Sequence, residues 1–332
     1  MNEFKPSRRN LFQAAGLVAA AGATATTGFV QPVLADGHPS VPSRPFANKI
    51  AVGKLAVTTF FDGALQLPGP HPIFGQNVEA AEVKALAEAN FLPGDKMEIG
   101  FTPTLVQDGT NTILFDTGNG EITKRRPAAG NLVANMALLG IKPEDVTHVV
   151  ITHMHPDHIG GLMEGGAPTF PNAAYVTGSA EYDFWTPESR LSGGTERVAK
   201  LVNANVKPLA EKFTFVKPGD TIAPGITALD AAGHTPGHMG IHLESEGERL
   251  VLIGDAANHY VVSLQRPDWH VRFDMDKDKA AATRKSLLGM IAADKIPFIG
   301  YHMPFPSVGY LSAKDQGFQY QAASYQLNLK KG

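Results

Sequence analysis

Apolar runs broken by glycine and proline alternate along this chain with stretches whose apolar positions recur at helical spacing. Ile50 to Phe61 alternates apolar and polar positions (Ile50, Val52, Leu55, Val57, Phe60), the period of a half-buried strand, and Asp62-Gly63 is a turn signal leading to Leu65-Gln66-Leu67. Pro68 to Gln76 reads as a loop from its proline and glycine content, and Glu79 to Asn90 as a short helix. Ile99 to Val106 and Thr112 to Phe115 read as strands joined by a hairpin signal at Asp108-Gly109, the second ending in the turn Phe115-Asp116-Thr117-Gly118. Asn131 to Leu139 is an amphipathic helix closed by Gly140, and His148 to Thr152 is β-branched and apolar, as in a buried strand. Ala173 to Thr177 is a strand, Ser179 to Trp185 begins a helix, and Thr186 to Val206 reads as helical, a natural place for a region covering a cleft. Short strands follow at 213–216, 221–222, 226–230, 241–243, 250–253 and 296–300, with a helix at 277–293. Strand runs alternating with helices fit an α/β protein whose sheets are covered by helices.

The densest chemistry follows the strand at 148–152, in His153-Met154-His155-Pro156-Asp157-His158-Ile159-Gly160-Gly161. Imidazole nitrogen and carboxylate oxygen are the ligands that borderline divalent metals prefer. A loop of this composition can aim His153 and His155 at one metal and Asp157 and His158 at a second. One histidine here would be an ordinary polar turn residue; three with a carboxylate at this spacing point to a metal site. His234 sits in a similar Gly/Pro loop, Asp255 follows the strand at 250–253, and His302 follows the strand at 296–300. Four apolar strands, ending at Thr152, Asp230, Ile253 and Gly300, thus each deliver a ligand-type residue, and one convergent site is the economical reading. Asp116 is either a turn former or a carboxylate that holds the far ring nitrogen of a ligating histidine and fixes its tautomer. His238, His242, His259 and His270 suggest no role beyond structure or surface.

Composition narrows the chemistry further. The 332 residues contain no cysteine, so neither a thiolate ligand nor a cysteine nucleophile is available and any metal is held by nitrogen and oxygen. A net charge of −3 leaves no basic footprint for nucleic acid. Residues 1–35 read as an export signal: Ser7-Arg8-Arg9-Asn10-Leu11-Phe12 is a twin-arginine pattern, a weakly apolar Ala/Gly-rich run follows, and Val33-Leu34-Ala35 is a small-residue cleavage site. The expected organisation is this signal, read by the twin-arginine machinery, then a single catalytic domain over 36–332 in the periplasm, with no stable membrane span.

The ordered set His153, His155, Asp157, His158, His234, Asp255 and His302, with the Asp116-Thr117-Gly118 turn, resembles the metallo-β-lactamase fold superfamily. The resemblance implies a four-layer αββα sandwich with the site at one edge between two sheets. It implies two divalent metals, zinc by default, although Mn, Co or Fe suit the same ligands. His153, His155 and His234 would hold the first, and Asp157, His158 and His302 the second. Asp255 and a hydroxide would bridge them. The hydroxide would attack an ester or lactone carbonyl, or a phosphorus, with Asp255 orienting it and Asp157 serving mainly as a ligand. Longer stretches (THMHPDHIGGL, GHTPGH, and His302 followed by Phe305-Pro306) look similar to the branch of methyl parathion hydrolase and related lactonases and aryl esterases. That branch implies Leu65, Leu67 and Trp185 in the substrate pocket, and a homodimer. The loop from Asn119 to Ala129 carries Arg125 and Arg126 and no aromatic, which turns the expectation toward a small-molecule lactone or aryl ester. Organophosphate hydrolysis as the main activity is the runner-up, and a non-catalytic metal-binding accessory protein the alternative of another class.

Overall fold

The alternating run from Ile50 to Phe61 folds back on itself as two antiparallel strands, Ala47–Val52 and Leu55–Phe60, rather than the single strand expected. The step of three between buried Val52 and Leu55 is the trace of the turn at Gly53-Lys54. Ile99 to Val106 is likewise two strands. Lys96–Phe101 pairs with Gly63–Pro68 in a small two-stranded sheet, and Thr104–Gln107 belongs to a large one. Pro103 separates them, since it offers no N–H to continue a ladder.

A computed structural model describes the chain over residues 45–324, and the export signal expected over residues 1–35 lies outside the described residues. Two seven-stranded sheets form the centre. The first runs, in spatial order, Ala47–Val52, Leu55–Phe60, Thr104–Gln107, Thr112–Phe115, His148–Ile151, Ala174–Gly178, Phe213–Val216. Its early strands pair antiparallel, and its last four are parallel neighbours. The second follows chain order from Thr221–Ala223 to Gly317–Ala322 and is antiparallel except where Glu248–Leu252 meets Phe298–Ile299. Its closing hairpin, Val308–Lys314 with Gly317–Ala322, was not among the expected elements.

Three clusters of apolar side chains define the layers. Val57, Ile113, Phe115 and Val150 from the first sheet meet Ile226, Ile241, Leu243 and Leu252 from the second, forming the core between the sheets. The outer face of the first sheet (Leu114, Val149, Tyr175) is covered by Leu132 and Met136 and by Ala199 and Val202 of the helix Glu196–Asn205. The outer face of the second (Val251, Ile253, Phe298) is covered by Leu287, Leu288 and Ile291 of the helix Lys277–Asp294. Burying these faces is the main favourable term for the fold, and the result is helix, sheet, sheet, helix. The segment expected to cover a cleft instead forms 3₁₀ turns and the helix Glu196–Asn205, which packs as part of the outer layer. No helix among the described residues is long and apolar enough to cross a membrane.

Candidate metal centre

Strand His148–Ile151 ends beneath a short helical turn, Pro156–Ile159, and this turn carries the histidine-rich loop. Two glycines make its packing feasible. A Cβ on Gly160 would lie 2.1 Å from the Asn119 carbonyl oxygen, and one on Gly161 2.2 Å from that of Thr117. The 117–119 backbone can therefore lie directly against the motif only because these side chains are absent. Asp116 at the start of that segment accepts hydrogen bonds from the Thr152 backbone and hydroxyl, each 2.8 Å, and from His158 Nδ1 at 2.8 Å. With Nδ1 as the donor, His158 presents Nε2 to the centre.

The other sheet supplies His234, Asp255 and His302 from three separate strand ends, at Asp230, Leu252 and Ile299. Two groups result: His153, His155, His234 and Asp255, and beside them Asp157, His158 and His302, the candidate ligand atoms of each group lying within 4.8 Å of one another. Asp255 belongs to both sides. Its Oδ2 is 3.2 Å from His234 Nε2 and 3.1 Å from His302 Nε2, and its Oδ1 is 3.3 Å from His158 Nε2. His155 Nδ1 and His234 Nε2 stand 2.9 Å apart.

Electrostatics of the metal-free protein follow from this crowding. Burial and neighbouring imidazoles push His155 down to about 3. Burial alone would lower His234 too, but the Asp255 and Asp274 carboxylates lift it to about 9. Burial works against ionisation of Asp255, yet His302, His158 and His234 hold it well below the usual carboxylate range. His153 Nε2, His158 Nε2 and Asp255 Oδ1 are buried with no hydrogen-bond partner among the described residues. Buried polar atoms are rarely left so. Three of them in one cluster of nitrogen and oxygen donors, without a thiolate, fit divalent cations held at two adjacent positions.

A model of the metallo-beta-lactamase superfamily matches residues 102–294, a span holding six of the seven clustered side chains. The chain belongs to this superfamily. As a metallo-beta-lactamase-fold protein it is a metal-dependent hydrolase, and its relatives are consistent with that. An N-acyl homoserine lactonase of Bacillus cereus is 25% identical over 236 residues, covering 66% of this chain and 87% of its own. The N-acyl homoserine lactonase AttM of Azorhizobium caulinodans is 32% identical over 136 residues, covering 38% and 46%. Among solved structures, AidC, a dizinc quorum-quenching lactonase in complex with the product N-hexanoyl-L-homoserine, superposes with a TM-score of 0.77 at 28% identity, covering 84% of this chain and 98% of its own.

Several side chains that hold this superfamily site in place carry no sequence signal. Glu181 is fully buried, and its two oxygens accept from Met154 N–H at 2.8 Å, Trp185 Nε1–H at 2.8 Å, Thr235 Oγ1–H at 2.7 Å and Gly237 N–H at 3.0 Å. It thereby ties the 153–158 loop to the 234–238 loop. Gly237 permits this, because a Cβ there would meet the Glu181 nitrogen at 2.1 Å. Asp274 accepts from His234 Nδ1 at 2.9 Å and from Arg284 Nη2 at 2.7 Å, and fully buried Arg284 also donates to the carbonyls of Ala256, Pro267 and Trp269. His238, for which the sequence suggested no role, donates from Nδ1 to the Ala231 carbonyl and accepts the Asp255 N–H on Nε2 at 3.1 Å. His302 donates from Nδ1 to the Gly100 carbonyl at 2.7 Å.

A cavity of about 540 Å³ opens beside His302, walled by Phe61, Leu92, Met97, Met303 and Phe305 and edged by Gln66 and His259. Leu65 and Leu67, expected in the substrate pocket, pack on the cluster of Ile73, Phe74 and Met97 and do not wall this cavity, which Gln66 between them edges. Trp185 is buried in the outer layer with its ring 6.2 Å from that of His155, beside the centre and not in the cavity wall. His242 accepts from Arg249 Nε, and His270 pairs with exposed Asp278, both away from the centre.

Proposed function

We propose that this chain is a binuclear, zinc-dependent lactonase that also cleaves aryl esters. The observation that carries the reading is the juxtaposition of a seven-residue N/O centre with a mostly apolar cavity of about 540 Å³ beside one of its ligands, His302. A pocket of that character suits an uncharged ester with an apolar arm. The lactonase relatives in the same superfamily support the choice of substrate.

His153, His155 and His234 would hold one cation and Asp157, His158 and His302 the other, with Asp255 reaching both. Two bound cations would supply a water of lowered pKa and an electrophile for the carbonyl. The chain's own groups do the rest. Asp255, whose Oδ2 also accepts from Asn258 Nδ2 at 3.0 Å, is placed to orient the attacking water and to carry its proton to the departing alkoxide. Asp116, Asp274 and the Gly100 carbonyl hold His158, His234 and His302 with their far nitrogens protonated, so that each presents Nε2. The apolar cavity walls exclude water from the acyl arm. Net, one water adds across the ester C–O bond, giving a carboxylate and an alcohol. We also place the mature protein in the periplasm, on the Arg8-Arg9 pattern and the Val33-Leu34-Ala35 site.

The test is a hydrolysis panel with metal content measured alongside: N-hexanoyl-L-homoserine lactone, dihydrocoumarin, p-nitrophenyl acetate, methyl paraoxon and nitrocefin. Lactones leading at about two metals per chain is the expected result. Methyl paraoxon or nitrocefin leading, or no turnover at full occupancy, overturns it.

A further inference from the structure

His259 has no part in the centre, yet its ring is built into the wall of the cavity. Its Nδ1 accepts the backbone N–H of Val261 at 3.0 Å and of Val262 at 3.3 Å, at the start of the short helix Val262–Gln265. A nitrogen that accepts cannot carry the proton, so the tautomer is fixed with hydrogen on Nε2. With Nδ1 committed to the start of the helix and the ring lining the cavity, Nε2–H is the polar hydrogen His259 has left to offer a bound ligand. No group among the described residues pairs with that N–H. The ring is also held rigid, stacked on Tyr260 with centroids 5.1 Å apart and edge-on to Phe74 at 5.5 Å. Burial pushes it down to about 4, so it is uncharged at working pH and offers a neutral donor.

We propose that His259 is a substrate-binding residue whose Nε2–H donates to an uncharged carbonyl on the substrate's arm, away from the scissile ester. The site would then select lactones or esters whose acyl arm bears a second carbonyl, such as an amide, over plain alkyl lactones of similar size. An immobile, neutral donor in an apolar wall discriminates in this way because a substrate lacking the acceptor gains nothing from it, whereas a substrate bearing one loses a bond when it is removed. This inference rests on the lactone and ester reading above.

His259→Asn is the informative variant, since its Oδ1 can still accept the Val261 N–H while the cavity donor is lost. The measurement is steady-state kinetics on N-hexanoyl-L-homoserine lactone, which has an amide carbonyl, and on γ-decalactone, which has none. The expected result is a rise in KM of about three- to tenfold for the first and no change for the second, with kcat unaffected on both. An equal change on both, or on neither, overturns the proposal. A second readout needs no turnover: nitrogen-15 NMR of the histidines during titration with N-hexylacetamide should show His259 protonated on Nε2 and that resonance moving. A proton on Nδ1, or an unmoved Nε2, overturns the proposal. If the wild-type protein hydrolyses neither lactone but the resonance moves, the lactone reading falls and the donor stands.

Discussion

The two halves of the centre are built by opposite strategies. The first sheet delivers four of the seven side chains from one turn of six residues, His153 to His158, seated on a single strand end. The second sheet delivers three, His234, Asp255 and His302, from three loops spread over 69 positions of the chain. A compact loop is fixed largely by one neighbouring segment: the Gly160-Gly161 pair lies against 117–119, and Asp116 lies beneath His158. A dispersed set has no such local frame. It is held by long-range buried polar contacts: Arg284 through Asp274 to His234, His238 to the Asp255 backbone, and Gly100 to His302. The lesson is that the second half needs several separate buried polar contacts where the first leans on one segment, which makes it the more fragile half.

The largest effect is expected where the halves meet. Asp255 approaches His158 from the first half as well as His234 and His302 from the second. Asp255→Ala should lower kcat/KM roughly a thousandfold or more, because several kcal/mol of transition-state stabilisation depend on a complete two-metal site. Elemental analysis should find fewer than two metals per chain. Retained turnover with both metals bound would remove its bridging role.

Next is Arg284→Met, 29 positions beyond Asp255 and in contact with no candidate ligand directly. The variant removes the guanidinium from a buried ion pair and leaves Asp274 held by His234 alone, and breaking such a pair costs about 3 kcal/mol. Urea denaturation should report that loss, and a chelator competition should show weaker metal binding. A loss within 0.5 kcal/mol would mean that the second half does not depend on this chain of contacts.

How legible the molecule was in its sequence follows the same division. His153, His155, Asp157 and His158 stand out because they are contiguous and follow an apolar strand. His234, Asp255 and His302 are weak signals individually and gained meaning from their shared place at strand ends and then from the order that the resemblance supplied. The four-layer class was readable because each layer rests on local periodicity. What failed were features set by tertiary contact. The turn at Gly53-Lys54 lies inside an apolar-polar alternation, and Phe101 and Leu105, both fully or nearly fully buried and four apart, belong to different sheets. Glu181, Asp274 and Arg284 look like ordinary helix and loop charges, because nothing local marks a charge as buried. Leu65 and Leu67 were placed in the substrate pocket by resemblance, and the cavity beside His302 is edged by Gln66 of the same strand.

Glu181 joins the two halves and should show an intermediate effect. Glu181→Gln keeps the size but turns an amide N–H toward donors that need an acceptor. Leaving such groups unsatisfied costs about 1–3 kcal/mol, and partners behind metal ligands typically contribute about 10–100-fold to metal affinity. Both are measurable on one preparation, by denaturation of the metal-free protein and by chelator competition. Unchanged affinity alongside lowered stability would make Glu181 a brace of the fold alone.

The smallest effect concerns pH and separates the halves by the kind of brace each uses. Asp116 serves the first half by accepting from His158, whereas His238 serves the second as a neutral acceptor for the Asp255 N–H. Burial and nearby His234 push His238 down to about 4, against an ordinary value of 6.5. The folded state therefore binds fewer protons than the unfolded chain between pH 6.5 and 4, so stability from this group is present above 6.5 and is lost as pH falls toward 4. At pH 5.5, one unit below the unfolded value, the loss is about 1.4 kcal/mol. His238→Asn keeps a donor for the Ala231 carbonyl but has nothing to titrate. The stability gap between metal-free wild-type and variant proteins should thus narrow by about 1 kcal/mol from pH 7.5 to 5.5 in urea denaturation. A gap independent of pH would show that His238 takes its proton as readily in the fold as outside it, and that the second half tolerates acid as well as the first.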